Sequence, residues 1–266
     1  MIGLLLVAAS VAAAAPQPLA PSLADAEHAI AAGRLEQARL MIARAVSAGV
    51  SGPQIERLLA DLAYAAGKND EALSRYRQLL LSSPNDSLML ERAGICALKL
   101  GDIPSASALI ARATKAANAS WRAWNARGVL ADLRQDWTAA DVAYAEAARL
   151  SGESPEVLNN EGWSLLLRGD WAGAAALFER AAKLDSRSAR IANNLELART
   201  ALAGDLPRRR PGESDRSFAE RLNDAGMAAR LLGDNQRAIA AFTQALRASG
   251  TWYERAANNL QAASGK

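Results

Sequence analysis

Small and apolar residues recur along this chain with a fixed period of 34 residues. Glycine or alanine occupies one position of every period, at Ala26, Ala60, Gly94, Gly128 and Gly162. A ring or an isoleucine occupies a second position, at Ile42, Tyr76, Ile110, Tyr144 and Phe178. An alanine precedes each of these by four residues, at Ala38, Ala72, Ala106, Ala140 and Ala174. Such spacing, kept without insertion over five copies, indicates a solenoid of repeated supersecondary units.

The repeat divides the first part of the chain into five units, which cover 19–52, 53–86, 87–120, 121–154 and 155–188. In each unit, apolar positions follow a helical period on both sides of a short turn, which predicts two helices joined as a hairpin. A glycine follows the first helix in most units, because glycine readily adopts the left-handed conformation that ends a helix. Asp102, Asp136 and Asp170 follow that turn and are placed to cap the second helix. The sequence therefore predicts an all-α fold in which stacked hairpins bury one another.

The period breaks once, after residue 188. Residues 189–204 supply one helix without a partner, which we interpret as a capping helix for the first five units (19–204). Residues 205–216 carry two prolines, a glycine and three adjacent arginines and are predicted to form a linker. A sixth unit (219–252) follows within a second block, 217–266, which ends in another capping helix. Whether this block docks on the first is left open by the pattern.

The chain begins with an uncharged apolar run, Met1 to Ala15, followed by Pro16. The run is too short to span a bilayer, which needs about 20 residues. Its small-residue end fits a secretory signal peptide and predicts a periplasmic or otherwise exported protein with no transmembrane span in the mature chain. The alternative is an apolar N-terminal segment that packs on the repeats, since the run lacks the basic residues that usually begin a signal peptide.

Composition and charge narrow the function classes. Half of the residues are apolar but only 5% are aromatic, and the formal charge of +3 is spread along the chain, which argues against nucleic acid as a partner. No phosphate loop, dinucleotide fingerprint or metal-ligand spacing is present. The single histidine, His28, and the single cysteine, Cys96, stand alone and are interpreted as structural. We therefore expect no catalytic residues, no cofactor and no metal.

Arg208, Arg209 and Arg210 form the one dense cluster of charge. Two interpretations are open. The cluster could bind an acidic partner or an anionic membrane surface, or it could be a solvated loop, which is the more common role for such a run.

The quoted pattern resembles the tetratricopeptide-repeat family, which implies a right-handed α-solenoid with a concave groove lined by the first helix of each unit. Positions 2, 5, 9 and 12 of a unit would face that groove. Asparagine recurs at position 5, at Asn125, Asn159 and Asn193, and its amide can both donate to and accept from a peptide backbone. The alternative is that these amides join neighbouring repeats. The candidate protein-binding groove consists of Arg122, Asn125, Val129, Asp132, Asn159, Trp163, Leu166 and Asn193.

The overall layout, including the segment GWSLLLRGDWAGAAALFERAAKLD, is also similar to the tetratricopeptide protein of the Tad (tight adherence) pilus-assembly system. That resemblance implies a non-catalytic adaptor that binds an extended segment of a partner protein at the bacterial envelope. A different class remains open: an accessory structural subunit of another envelope machine, serving cytochrome maturation, cell-wall synthesis or secretion, without peptide binding in the groove.

Overall fold

The computed structural model describes residues 23–203 and 205–264, and every regular element in these ranges is an α-helix. The predicted signal-like run, Met1 to Ala15, lies outside the described residues. The all-α prediction is confirmed for the described part of the chain. Two compact units, divided after Pro84, are described separately. The division falls between the second and third sequence repeats and not at the proline- and arginine-rich linker.

Within residues 23–84, the first compact unit contains two helical hairpins. Its helices are α1 (Leu23–Ala31), α2 (Leu35–Ser47), α3 (Pro53–Ala65) and α4 (Asn69–Ser82). Ala26, Ile42 and Leu58 form the buried cluster that joins the first hairpin to the second. Tyr76 is fully buried and donates from its hydroxyl to Asp61 at 2.5 Å.

The described residues of the second compact unit, 85–203 and 205–264, form ten helices. They are α5 (Ser87–Lys99), α6 (Ile103–Ala113), α7 (Trp121–Asp132), α8 (Trp137–Ser151), α9 (Pro155–Leu167), α10 (Trp171–Leu184), α11 (Ala189–Ala203), α12 (Asp215–Leu231), α13 (Asn235–Ala248) and α14 (Glu254–Ala263). Four hairpins form, from α5–α6, α7–α8, α9–α10 and α12–α13. Helices α11 and α14 each pack on the hairpin before them and have no second helix of their own.

The turn between the two helices of a hairpin forms as the sequence predicts. Gly101 and Gly169 adopt positive φ angles of 76° and 82° after α5 and α9. The aspartate that follows, Asp102 or Asp170, then caps the next helix by accepting a hydrogen bond from the main chain three residues later, at 3.2 and 2.8 Å. The predicted glycine turn and aspartate cap are therefore confirmed.

The hairpins α7–α8 and α9–α10 close because a glycine on the first helix faces a ring on the second. A Cβ atom placed on Gly128 would lie 2.6 Å from Tyr144 Cε1, and one on Gly162 would lie 2.7 Å from Phe178 Cε1. Both rings are fully buried. The small residue is thus required by the close approach of the ring.

The sixth sequence repeat continues the stack inside the second compact unit. Leu197 and Ala198 of α11 share a buried cluster with Ala225 and Ala228 of α12 and with Phe178 of α10. The sequence pattern left open whether the second block docks on the first, and in the described residues α12 packs on α11. Helix α11 is covered on both sides, because α12 buries the apolar face that the sequence left unpartnered.

Candidate functional site

An open pocket of about 200 Å³ lies between α7, α8 and α9. Helix α7 contributes one wall and α9 the other, since their first-helix positions come together when the fourth and fifth repeats stack. Trp163 forms the α9 wall and is 38% exposed. The lining residues are Val129, Asp132, Leu133, Tyr144, Asn160, Trp163 and Leu167. This set is called the Trp163 pocket below.

The floor of the Trp163 pocket is polar and internally bonded. Asp132 accepts a hydrogen bond from the Tyr144 hydroxyl at 2.7 Å and another from the Ser164 hydroxyl at 2.6 Å. Burial raises the pKa of the Asp132 carboxyl above its ordinary value, and these two hydrogen bonds together with nearby Arg168 oppose the rise. Burial, with the adjacent Asp132 charge, also raises the pKa of Tyr144. The Asp132 carboxylate thus orients the Tyr144 ring, which packs against Gly128. Its two hydrogen-bond donors, Tyr144 and Ser164, belong to the protein itself.

The recurring asparagines lie between the repeats. Asn125 and Asn159 are 6% and 3% exposed, and each accepts from an asparagine one repeat later. Asn160 Nδ2 donates to Asn125 Oδ1 at 3.1 Å, and Asn194 Nδ2 donates to Asn159 Oδ1 at 2.9 Å. These bonds form an amide ladder that joins neighbouring first helices, which is the second of the two interpretations the sequence left open.

The ladder recurs in the last repeat and changes at the linker. Asn223, 1% exposed, accepts from Asn259 Nδ2 at 2.8 Å. Asn193 accepts from Arg210 Nη1 at 2.9 Å. Since α12 carries Asp224 beside Asn223 and an aspartate cannot donate, the arginine of the linker supplies the donor at this step.

Two other predicted groove residues lie away from the pocket. Leu166 is buried in the core cluster with Trp171 and Phe178, and the adjacent Leu167 lines the pocket in its place. Arg122 is exposed and its guanidinium stacks 4.3 Å from the centre of the Trp121 ring. Of the eight predicted residues, the structure brings three together around one cavity: Val129, Asp132 and Trp163.

Two arginines of the linker cluster, Arg209 and Arg210, form side-chain contacts within the second compact unit. Arg210 binds Glu196 and Asn193 of α11, and its main-chain N–H donates to Glu213 at 2.9 Å. Arg209 forms an exposed salt bridge of 2.6 Å with Asp215. Arg210 thus fastens the loop to α11, while Arg208 and Arg209 are exposed to solvent.

A buried arginine lies at the centre of that fastening. Arg221 of α12 donates to both oxygens of Glu213, at 2.6 and 2.7 Å, and also binds Glu196 of α11. The side chains of Arg221 and Glu213 are each only 6% exposed. Desolvation disfavours ionisation of Glu213, but the hydrogen bonds from Arg221 and Arg210 outweigh it and hold the pKa of that carboxyl below its ordinary value.

The isolated candidate side chains have structural positions. Cys96 is fully buried on α5, and burial raises the pKa of its thiol to about 11, so the thiol is protonated at neutral pH. His28 is exposed on α1. Within residues 23–203 and 205–264, no group of three or more histidine, cysteine, aspartate or glutamate side chains is arranged to hold a metal ion. None of the helices in the same ranges is long and apolar enough to cross a membrane.

Comparison with known proteins places these hairpins in a family. Tetratricopeptide-repeat models match residues 23–87, 57–118 and 92–155, and a second such model matches 155–188. The chain belongs to the tetratricopeptide-repeat family. The matched ranges cover all five predicted units apart from the first few residues. No curated protein sequence is similar enough to this tetratricopeptide-repeat chain to be counted as a relative.

Solved structures share the fold at low sequence identity. The Cut9–Hcn1 complex of the anaphase-promoting complex matches with a TM-score of 0.56 at 14% identity, over 94% of this chain and 43% of that chain. PilW, a type IV pilus biogenesis factor, matches at 0.54 and 16% identity, over 90% of this chain and 96% of that one. PilF of Pseudomonas aeruginosa matches at 0.51 and 14% identity, over 91% and 95%. This chain thus spans under half of the length of the Cut9–Hcn1 chain, and the likenesses concern the tetratricopeptide fold alone.

The second amide of the ladder was missed by sequence reasoning, although a signal for it exists. Paired asparagines occur at 159–160, 193–194 and 258–259. In each pair the second residue is turned toward the preceding first helix and donates backward along the tetratricopeptide stack. A doubled asparagine at a fixed register therefore indicates a bond between repeats, because one amide can be buried as acceptor while the next provides the donor.

Proposed function

We propose that this chain is a scaffold that holds a partner protein by an extended segment and seats one apolar side chain of that segment in the Trp163 pocket. The observation that carries the proposal is the accessible Trp163 ring above an apolar wall of Val129, Leu133 and Leu167. Exposed rings in a concave pocket are typical of the residues that dominate binding energy at protein interfaces. A volume of about 200 Å³ is below the range of most small-molecule sites and suits a single side chain.

The amide ladder supports this role indirectly. It fixes the spacing of α7, α9 and α11, so the two walls of the pocket are already placed before a partner binds. A preformed site avoids the entropic cost of ordering the receptor on binding. Asn125 and Asn159 therefore contribute by positioning the walls, and Trp163 provides the contact.

We place this scaffold at the bacterial envelope, in pilus assembly of the Tad type. Support comes from the resemblance of the layout to that family and from the signal-like run at Met1 to Ala15. PilW, a pilus biogenesis factor, shares the fold, so the fold itself is compatible with such a role. N-terminal sequencing of the protein from a periplasmic fraction of its native host tests the location. Recovery of uncleaved protein from the cytosol would contradict export.

The binding role is tested with one pocket variant and one matched control. Trp163→Ala removes the exposed ring, whereas Val142→Ala removes an apolar side chain that is 61% exposed on α8 and does not line the pocket. Both proteins are used to capture partners from an envelope extract, and captured proteins are quantified by mass spectrometry. We expect one partner to be lost with Trp163→Ala, at a cost of about 2 kcal/mol or more in affinity, and to be retained with Val142→Ala.

Thermal unfolding of both variants separates the outcomes. Equal recovery of every partner by the two variants, with unchanged melting temperatures, would contradict groove binding and favour the accessory structural subunit. A lower melting temperature for Trp163→Ala alone would show instead that the ring belongs to the packing between repeats. A synthetic peptide copied from the lost partner should then bind the wild-type chain directly.

A further inference from the structure

A second pocket, of about 230 Å³, opens between α6, α7 and α8 of the second compact unit. Its base is apolar, since Ile110 and Leu130 are almost fully buried there. Its rim is polar and carries two arginines, Arg127 of α7 and Arg134 of the turn that follows α7. The lining residues are Ser107, Ile110, Ala111, Arg127, Leu130, Ala131, Arg134, Asp136 and Ala139. It shares none of these with the Trp163 pocket.

The two guanidinium groups at this rim have hydroxyl partners. Arg134 donates to the Ser107 hydroxyl, and Arg127 donates to the Thr114 hydroxyl at 3.4 Å. Within the described part of the chain, neither forms a salt bridge with a carboxylate. The one carboxylate on the rim, Asp136, accepts from the main-chain N–H of Ala139 at 3.1 Å as the cap of α8. Most of the ten N–H donors of the two groups are therefore free to bind an anion.

The equivalent position one repeat later has the same arginine, and there a carboxylate lies beside it. Position 21 of a unit is Ser107 in the third repeat and Asp141 in the fourth, and position 14 of the next unit is Arg134 or Arg168. Arg168 binds Asp141 through two hydrogen bonds, at 3.0 and 2.6 Å. Equivalent backbone positions thus hold a bidentate arginine–carboxylate pair between the fourth and fifth repeats and an arginine–hydroxyl pair between the third and fourth.

The other charged side chains also make the first of these two repeat junctions more positive than the second. Position 7 is Arg127 at the first junction and Glu161 at the second, while the capping aspartate, Asp136 or Asp170, is common to both. At these equivalent positions the first junction therefore carries two cations and one anion, and the second carries one cation and three anions. A surface of this charge attracts an acidic group at the first junction and repels one at the second.

We propose that the Arg127–Arg134 pocket binds the carboxylate of a glutamate side chain on a partner protein. The pair made by Arg168 and Asp141 shows that a carboxylate fits these backbone positions, and the apolar base formed by Ile110 and Leu130 accommodates the methylene groups that precede it. Two guanidinium groups flanking one carboxylate give charge-assisted hydrogen bonds of the stronger kind. The site is separate from the Trp163 pocket and does not depend on the function proposed above.

The test follows the arginine Nε–H signals of the full chain by NMR during titration with N-acetyl-glutamate N-methylamide at low ionic strength. The signals of Arg127 and Arg134, assigned through Arg127→Gln and Arg134→Gln, are expected to shift and saturate. The signal of Arg168 is the internal control and should not move, because its carboxylate is already in place. The uncharged glutamine analogue of the probe should cause no saturable shift.

Two substitutions at one residue sharpen the result. Ser107→Asp supplies the carboxylate that the next repeat has, and it should weaken binding of the probe about tenfold or more. Ser107→Ala removes the hydroxyl without adding a charge and should leave binding in place. Equal effects of the two substitutions, or equal shifts with the glutamine analogue, would overturn the proposal.

Two further titrations separate this site from a phosphate site and from the Trp163 pocket. Inorganic phosphate at the same concentration should shift the two signals less than the glutamate probe does, and a larger effect of phosphate would overturn the assignment to a carboxylate. Trp163→Ala should leave the titration unchanged. Retained binding in that variant keeps this proposal intact even where the partner-capture experiment fails.

Discussion

The second compact unit joins its helices in two different ways, one between regular repeats and one across the linker. Between regular repeats, the hairpins α7–α8 and α9–α10 are each closed by a buried ring that faces a glycine. Helices α7 and α9 are joined by hydrogen bonds from Asn160 to Asn125 and from Ser164 to Asp132. Between α11 and α12 the second helix of a hairpin is absent. Its place is taken by linker residues and by an ionic network centred on Arg221. We call these the regular junction and the linker junction.

The comparison shows that a repeat stack can continue without a complete repeat. The linker residues lie in the place of the missing second helix. Arg210 and Arg221 occupy this space and bind the carboxylates of Glu196 and Glu213. At the linker junction, paired charges that include the buried Arg221 and Glu213 therefore add to the apolar contact of α11 with α12. At the regular junction, the buried fit of rings against glycines provides the main contact.

The largest effect is expected at the linker junction. Arg221→Met leaves the buried Glu213 without its ion-pair partner, although the main-chain N–H of Arg210 still donates to it. The free energy of unfolding of α11–α14 should therefore fall by about 3 kcal/mol, the lower end of the range for a broken buried ion pair. Hydrogen exchange should show lost protection in α12–α14 and little change in α7–α9. Arg216→Met, at an exposed salt bridge on the same helix, is the control. Equal losses in the two variants would contradict a special role for Arg221.

A smaller loss is expected at the regular junction. Gly128→Leu would push a side chain into the Tyr144 ring, and Ala140→Leu would enlarge a residue with no exposed surface, each costing about 1–3 kcal/mol. Val142→Leu adds bulk to an exposed position of the same helix and serves as the control. Urea denaturation followed by circular dichroism measures the difference. Identical midpoints for the three variants would mean that the repeat register is wrong.

Acid should affect the two junctions in opposite directions. Glu213 has a folded-state pKa below its ordinary value of 4.5, so its stabilising contribution is complete above that pH and is lost as the pH falls through the folded-state pKa. Asp132 has a pKa above its ordinary value of 3.8, so the cost of its charge is present above the folded-state pKa and is relieved by acid.

Hydrogen exchange at pH 7 and pH 4 tests this contrast. Protection should fall first in α12–α14, while α7–α9 keep theirs. The double variant Arg221→Met with Glu213→Leu replaces the buried pair by apolar side chains and should lose this sensitivity. It should also be more stable than Arg221→Met alone, since no carboxylate is left buried without its arginine. An unchanged acid response in the double variant would assign the effect to other carboxylates.

The smallest effect is expected from Arg209→Ala. Arg209 forms an exposed salt bridge with Asp215 and stacks 5.0 Å from the centre of the Phe218 ring. Exposed pairs of this kind contribute little, so the free energy of unfolding should change by about 0.5 kcal/mol or less. Urea denaturation of this variant beside Arg221→Met compares two arginines that are close in sequence and differ in burial. A loss as large as that of Arg221→Met would show that the whole linker acts as one cooperative unit.

Much of the fold could be predicted from the chain alone, because the repeat is carried by residues with few alternatives. A glycine at the position of Gly101 or Gly169 satisfies a positive φ, and a glycine at the position of Gly128 leaves room for a ring. These requirements are local or involve a partner at a constant separation in sequence. A period of 34 residues therefore determined the all-α fold, the hairpins and their caps.

The tertiary structure decided what the recurring polar residues do. Helical periodicity places Asn125 and Asn159 on one face of a first helix, and that face also contacts the neighbouring repeat. Only the packed helices show which side-chain amide donates to each asparagine oxygen. Arg210 and Arg221 have partners on α11 and on the linker, at separations with no period from which they could have been inferred. Hydrogen bonds and ion pairs depend on distance and direction in space, whereas the spacing of apolar residues can be read directly from the sequence. For this reason the repeats could be predicted from the sequence, while the amide ladder, the ionic network of the linker and the two pockets could be identified only in the folded protein.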